Sequence, residues 1–130
     1  FGLVSSDPDP GAGPLNRDQI ERIEGTLLPA LDRHHLRLQA HCLATFQHIA
    51  NPLTLGPLPG RDRWLQWCER QPQLAEDPEF TEQLMMQFTV IATQLDALAK
   101  QCGISPLELT LSDLIEHTER RSRDRLAQFG

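Results

Sequence analysis

From Phe80 to Arg121 an apolar stripe at Phe80, Leu84, Phe88, Ile91, Leu95, Leu98 and Cys102 runs into a helix stop and an immediate restart. The steps along it are four, four, three, four, three and four residues, the repeat of one helical face packed against other helices. Asp77-Pro78 supplies an N-cap with proline at the first helical position, so the spacing predicts a long helix from there to Cys102-Gly103. Ser105-Pro106-Leu107-Glu108 carries a capping-box signature and predicts the opening of a last helix. The first half of that helix is amphipathic through Leu107, Leu111, Leu114 and Ile115. Its tail, ERRSRDR, is charged all round and is expected to fray into solvent.

Upstream, Asn16 is a helix cap before Arg17, and Ile20, Ile23, Leu27, Leu31, Leu38, Cys42, Phe46 and Ile49 keep a helical stripe up to Asn51. Pro29 has no amide proton to donate to the carbonyl of Gly25, which predicts a kink or break near residues 25 to 29. Leu36, Leu43 and Ala50 lie on the opposite side, and a helix apolar on two sides is central to a bundle or covered by a second subunit. The segment NPLTLGPLPG, residues 51 to 60, must be a loop, with Leu53, Leu55 and Leu58 expected to tuck into the core end. A short helix follows from about Arg61 to Arg70, where Trp64, Leu65, Trp67 and Cys68 form one greasy face.

These elements define an all-α chain: a four- to five-helix bundle with a mobile N-terminal tail and a Pro/Gly/Leu-rich loop after the first long helical region. Residues 1 to 15 hold three Pro and three Gly and offer little to bury against the entropy of ordering them, so they are assigned to a flexible tail. Residues 16 to 130 are assigned to a single helical domain, long enough to enclose one core.

Composition excludes several classes of function. The chain is 39% hydrophobic and 23% charged, and no apolar run approaches the roughly 18 residues of a membrane span, so a soluble protein is expected. Its 11 Arg and single Lys are outweighed by acids to a net charge of −6, which disfavours broad attraction to nucleic acid or anionic membrane. Cys42, Cys68 and Cys102 are odd in number and far apart, with two on apolar helix faces; this favours reduced thiols and a cytoplasmic location.

Motifs for chemistry are sparse. His34, His41 and His48 recur every seven residues and share one side of a helix, about 10.5 Å apart per step, too far for two of them to hold one metal. The available Asp32/His35 and Asp113/His117 pairs supply fewer ligands than a di-metal helical bundle uses, so no metal and no cofactor is assigned. There is no Gly-rich phosphate loop, GxSxG, HExxH or tyrosine, and Glu76/Asp77 and Glu79/Glu82 sit where a helix N-terminus favours negative charge. No catalytic residue is assigned, and a non-enzymatic role is expected.

Two local resemblances supply alternatives. Ala40-His41-Cys42-Leu43 resembles the start of the AH-x-L-K-G signature of histidine phosphotransfer domains, which implies His41 as phosphoacceptor; the lysine and glycine positions are Ala44 and Thr45. LDALAKQCGISPLEL, residues 95 to 109, is similar to the helix, Gly turn and Ser-capped helix of helix-turn-helix and ribbon-helix-helix DNA-binding proteins. That resemblance implies a DNA-binding regulator, although its second helix offers Glu108, Asp113, Glu116 and Glu119 before any arginine and no strand precedes its first.

The remaining signal is an excess of apolar surface. The two-sided helix, the Trp64/Trp67 pair and the Leu-rich loop point to a cytoplasmic helical adaptor or regulatory protein that docks a protein partner, with homodimer formation as a further expectation. Trp64 and Trp67 are the expected anchors, with Leu36 and Leu43 lining a second face. Plain core packing is the competing role for all four.

Overall fold

A computed structural model describes residues 15–129. Within them the chain is all-α, without strands, as the periodicity predicts. Five helices of two turns or more are α1 (Arg17–Glu24), α2 (Ala30–Ala50), α3 (Arg61–Glu69), α5 (Pro78–Cys102) and α6 (Leu111–Phe129). A single-turn α4 (Pro72–Ala75) and a 3₁₀ turn (Pro106–Glu108) complete the order. The stretch expected to be a tail lies outside the described residues except for Leu15, which is buried.

Two compact units divide this order. One joins the chain up to His41 to the chain from Leu109 onward; the other is Cys42–Glu108.

In the first unit, Asn16 and Gln19 close a reciprocal capping box on α1. Each backbone amide donates to the other's side-chain oxygen, at 2.9 and 2.8 Å. The break expected at Pro29 is real: α1 ends at Glu24, and α2 starts anew at Ala30 with the Arg33 amide bonded to the Pro29 carbonyl. Arg22 of α1 donates to Ser112 Oγ of α6 at 2.6 Å. Arg125, near the end of α6, pairs with Asp32 in the first turn of α2. The charged stretch expected to fray is therefore helical, and it buries Ser122.

The opening of α6 also differs from expectation. Ser105 and Glu108 make the anticipated box, with the Ser105 amide and hydroxyl donating to Glu108 Oε2 at 2.9 and 2.7 Å, but it encloses only the 3₁₀ turn. A second box starts the helix, where Thr110 and Asp113 exchange bonds of 2.9 and 3.2 Å. Pro106 fits the first turn of either structure, so the propagating helix begins where the second box satisfies its amides.

In the second unit α5 is built as its punctuation predicts. Asp77 accepts from the Phe80 amide at 3.0 Å, Pro78 occupies the first turn, and Gly103 adopts a left-handed cap at φ 71°. Its stripe of Leu84, Phe88, Ile91, Leu95 and Leu98 is buried, with Met85 and Ala99 beside it. The loop after α2 is pinned by backbone, not by its leucines. Gly56 donates to Ser105 Oγ at 2.9 Å and accepts from the Leu107 amide at 3.2 Å. Leu53 and Leu55 are exposed and only Leu58 is half-buried, so the expected tucking of all three is corrected.

Candidate docking faces

The second unit is organised around four rings. Phe46 of α2 stacks on Trp64 of α3 with centroids 5.3 Å apart, and Phe88 of α5 meets Phe46 and Trp64 edge-on at 5.1 and 5.7 Å. Trp67, one turn after Trp64, lies 6.4 Å from Phe88 in a tilted arrangement. Phe46 and Phe88 are fully enclosed, and Trp64 is 7% exposed. Such offset and edge-to-face contacts add to the area each ring buries. Arg63 donates to the Ile49 carbonyl at 2.6 Å, satisfying an acceptor at the end of α2.

This arrangement separates the four residues expected to bind a partner. Leu36 is completely buried, Leu43 is buried and Trp64 is buried, so as folded these three are core residues and not exposed anchors. The two-sided apolar helix is covered by its own chain: Leu36, Leu43 and Ala50 on one side and Cys42, Phe46 and Ile49 on the other are all buried. Trp67 alone of the four is half-buried, touching the cluster without being enclosed by it.

The large apolar side chains that do face water are elsewhere. In the first unit they are Leu27, at 100% exposure in the α1–α2 connection, with Leu31 and Leu126. The last two adjoin in sequence the paired Asp32 and Arg125. In the second unit they are Leu53 and Leu55 in the loop and, on α5, Met86 at 65% and Val90 at 57%. Leu27 and Leu31 were expected to continue a buried stripe. The break at Pro29 takes Leu27 out of the helix, and Leu31 falls in the first turn of α2. Met86 and Val90, four residues apart, share a side of α5 away from its buried stripe, where periodicity alone marks them no differently from polar neighbours.

The titratable groups carry little chemistry in this arrangement. His34 and His48 are exposed. His41 is half-buried, and desolvation followed by the nearby Arg37 charge lowers its pKa to about 4. His117 is lowered in the same direction, by burial first and then by Arg121 and Arg120. Burial pushes the Cys42 thiol up to about 12 and raises Cys68, with Glu69 adding to the latter. Among the described residues no group of His, Cys, Asp and Glu is arranged to hold a metal ion, and no helix is long and apolar enough to cross a membrane. The segment resembling a helix-turn-helix lacks its second helix at the required place, since the 3₁₀ turn Pro106–Glu108 stands there.

Residues 15–125 match the family model described as NDH complex assembly factor CRR9. The match spans most of the chain and all of α1 to α5, so the chain belongs to this family of assembly factors. No curated protein and no solved structure matches it.

Proposed function

We propose that this chain is a non-catalytic assembly factor for an NDH complex, acting as an adaptor that docks a protein component of that complex while it is being built. The observation that carries this reading is the family match over residues 15–125. The exposed leucines of the first unit and the exposed Met86 and Val90 of the second support it, because apolar side chains held in water are the usual currency of protein docking. Trp67, half-buried, is included in the docking surface. Leu36, Leu43 and Trp64 contribute by holding the helices in place.

A protein partner fits better than nucleic acid, since a net charge of −6 opposes approach to phosphate. Self-association as a homodimer is part of the same proposal. So is residence in a reducing compartment such as the cytoplasm, supported by three free cysteines, of which two are buried singly. The test is in-cell crosslinking of the tagged chain followed by mass spectrometry. Crosslinks from the exposed apolar positions to components of the NDH complex are expected, and their absence while the complex is being assembled would overturn the reading.

A further inference from the structure

The outer face of α5, opposite its buried stripe, has a pattern of its own. Glu79, Glu82, Met86, Val90, Thr93, Ala97 and Lys100 are all exposed, and the steps between them are three, four, four, three, four and three residues. Such steps keep all seven on one side of the helix, away from the core. The face is about 30 Å long, enough to lie against one second helix.

The order of chemistry along this face is antisymmetric. Two carboxylates stand at its start, the two large apolar side chains at its middle and the only cation of α5 at its end. Lys100 comes ten residues after Val90, while Glu79 and Glu82 come eleven and eight before it. Val90 is therefore the midpoint between opposite charges. A copy of the same helix laid antiparallel, with Val90 on Val90, brings each Lys100 between Glu79 and Glu82 of the other copy. The same register sets Met86 against the gap between Thr93 and Ala97, where small side chains leave room for a knob. A parallel copy would instead place glutamates on glutamates and lysine on lysine. Asp96, also exposed, stands one turn before Lys100 on the flank of this face, leaving the other copy's Glu79 and Glu82 as the carboxylates across the contact.

We infer that the outer face of α5 is the self-association surface of this chain, an antiparallel pairing of two α5 helices about a twofold axis at Val90. Such a contact is isologous, each copy offering the same patch. The charges at its ends select the antiparallel orientation, and Met86 and Val90 supply the apolar centre. This locates the homodimer included in the proposed function and rests on that reading, but the two are decided separately: crosslinks to the NDH complex test the docking role, and solution mass tests the pairing.

The experiment is sedimentation equilibrium of the full chain across a wide concentration range at low salt. A monomer–dimer equilibrium is expected, with K100E weakening it at least tenfold and the charge-reversed E79K/E82K/K100E chain recovering it. Circular dichroism of each variant should show the parent's helix content, since all three residues are exposed and reversing charges that complement the ends of α5 costs only a fraction of its stability. In a Cys102→Ser background, Val90→Cys treated with glutathione disulfide should give a disulfide-linked dimer, whereas Glu79→Cys should not, its own copy lying far along the face. A monomer at every concentration, a K100E chain that dimerises like the parent, or linkage as efficient at residue 79 as at residue 90 would overturn the inference.

Discussion

Phe46 and Trp64 stack with their ring centroids 5.3 Å apart and their planes 23° from parallel, joining α2 to α3 with the edge of Phe88 against both. The indole of Trp64 is thereby committed to the interior of the second unit, and its Nε1–H is buried without a hydrogen-bond partner among the described residues.

Trp64→Ala should therefore destabilise the protein by about 3–5 kcal/mol, the cost of removing a large ring from a packed site. Trp67→Ala, at a half-buried position, should cost clearly less. Urea unfolding of the two variants separates these roles; equal midpoints for Trp64→Ala and the parent chain would contradict the core assignment.

Gly103 ends α5 in the left-handed region at φ 71°, and a methyl group added there would meet no atom within 4 Å. Its replacement by alanine is penalised by backbone conformation alone, so Gly103→Ala should lose about 1 kcal/mol. At the other end of the helix, Asp77→Ala removes the acceptor of the Phe80 amide and should cost about 1 kcal/mol. Thermal unfolding of each variant, and of both together, checks the values and their additivity.

The thiols predict a simple labelling pattern. Cys42 and Cys68 are buried with raised pKa values, whereas Cys102 is exposed. The thiolate is the nucleophile, so iodoacetamide at neutral pH should modify Cys102 first and the other two only on unfolding. Intact-mass measurement should show one fast adduct in the native parent and none in Cys102→Ser.

Stability should fall on acidification below neutrality. The folded-state pKa of His41, about 4, lies below its ordinary value of 6.5, so between those values the unfolded chain binds the extra proton. Stability therefore rises with pH across that window and levels off above it. His117 acts in the same direction. Melting temperatures measured from pH 4 to 7 should show this slope, and His41→Gln should flatten it.

How far the chain could be read in advance depended on whether the deciding partner was local. Asp77-Pro78 and Gly103 bound α5 within three residues of the atoms they satisfy, and Pro29 breaks its helix through its own missing amide; all were legible. The single turn α4 was not, because four residues cannot display a period. At the start of α6, two capping signatures stand five residues apart, and nothing local ranks Ser105/Glu108 against Thr110/Asp113.

Long-range partners set the remaining limits. The charged end of α6 reads as solvated until Arg125 is seen to meet Asp32, 93 residues away. Periodicity identifies the apolar sides of α2 but not what covers them, so it leaves Leu36 and Leu43 open between core and partner surface; the fold buries both and leaves Met86 and Val90 exposed on α5.

The most direct test of the proposed role is the amount of assembled NDH complex, resolved on a native gel, in cells lacking this chain and in the same cells supplied with it. Without the chain the complex should fail to accumulate and unassembled components should appear in its place, and resupply should restore the complex. A complex that assembles to its normal amount in the absence of the chain would contradict that role.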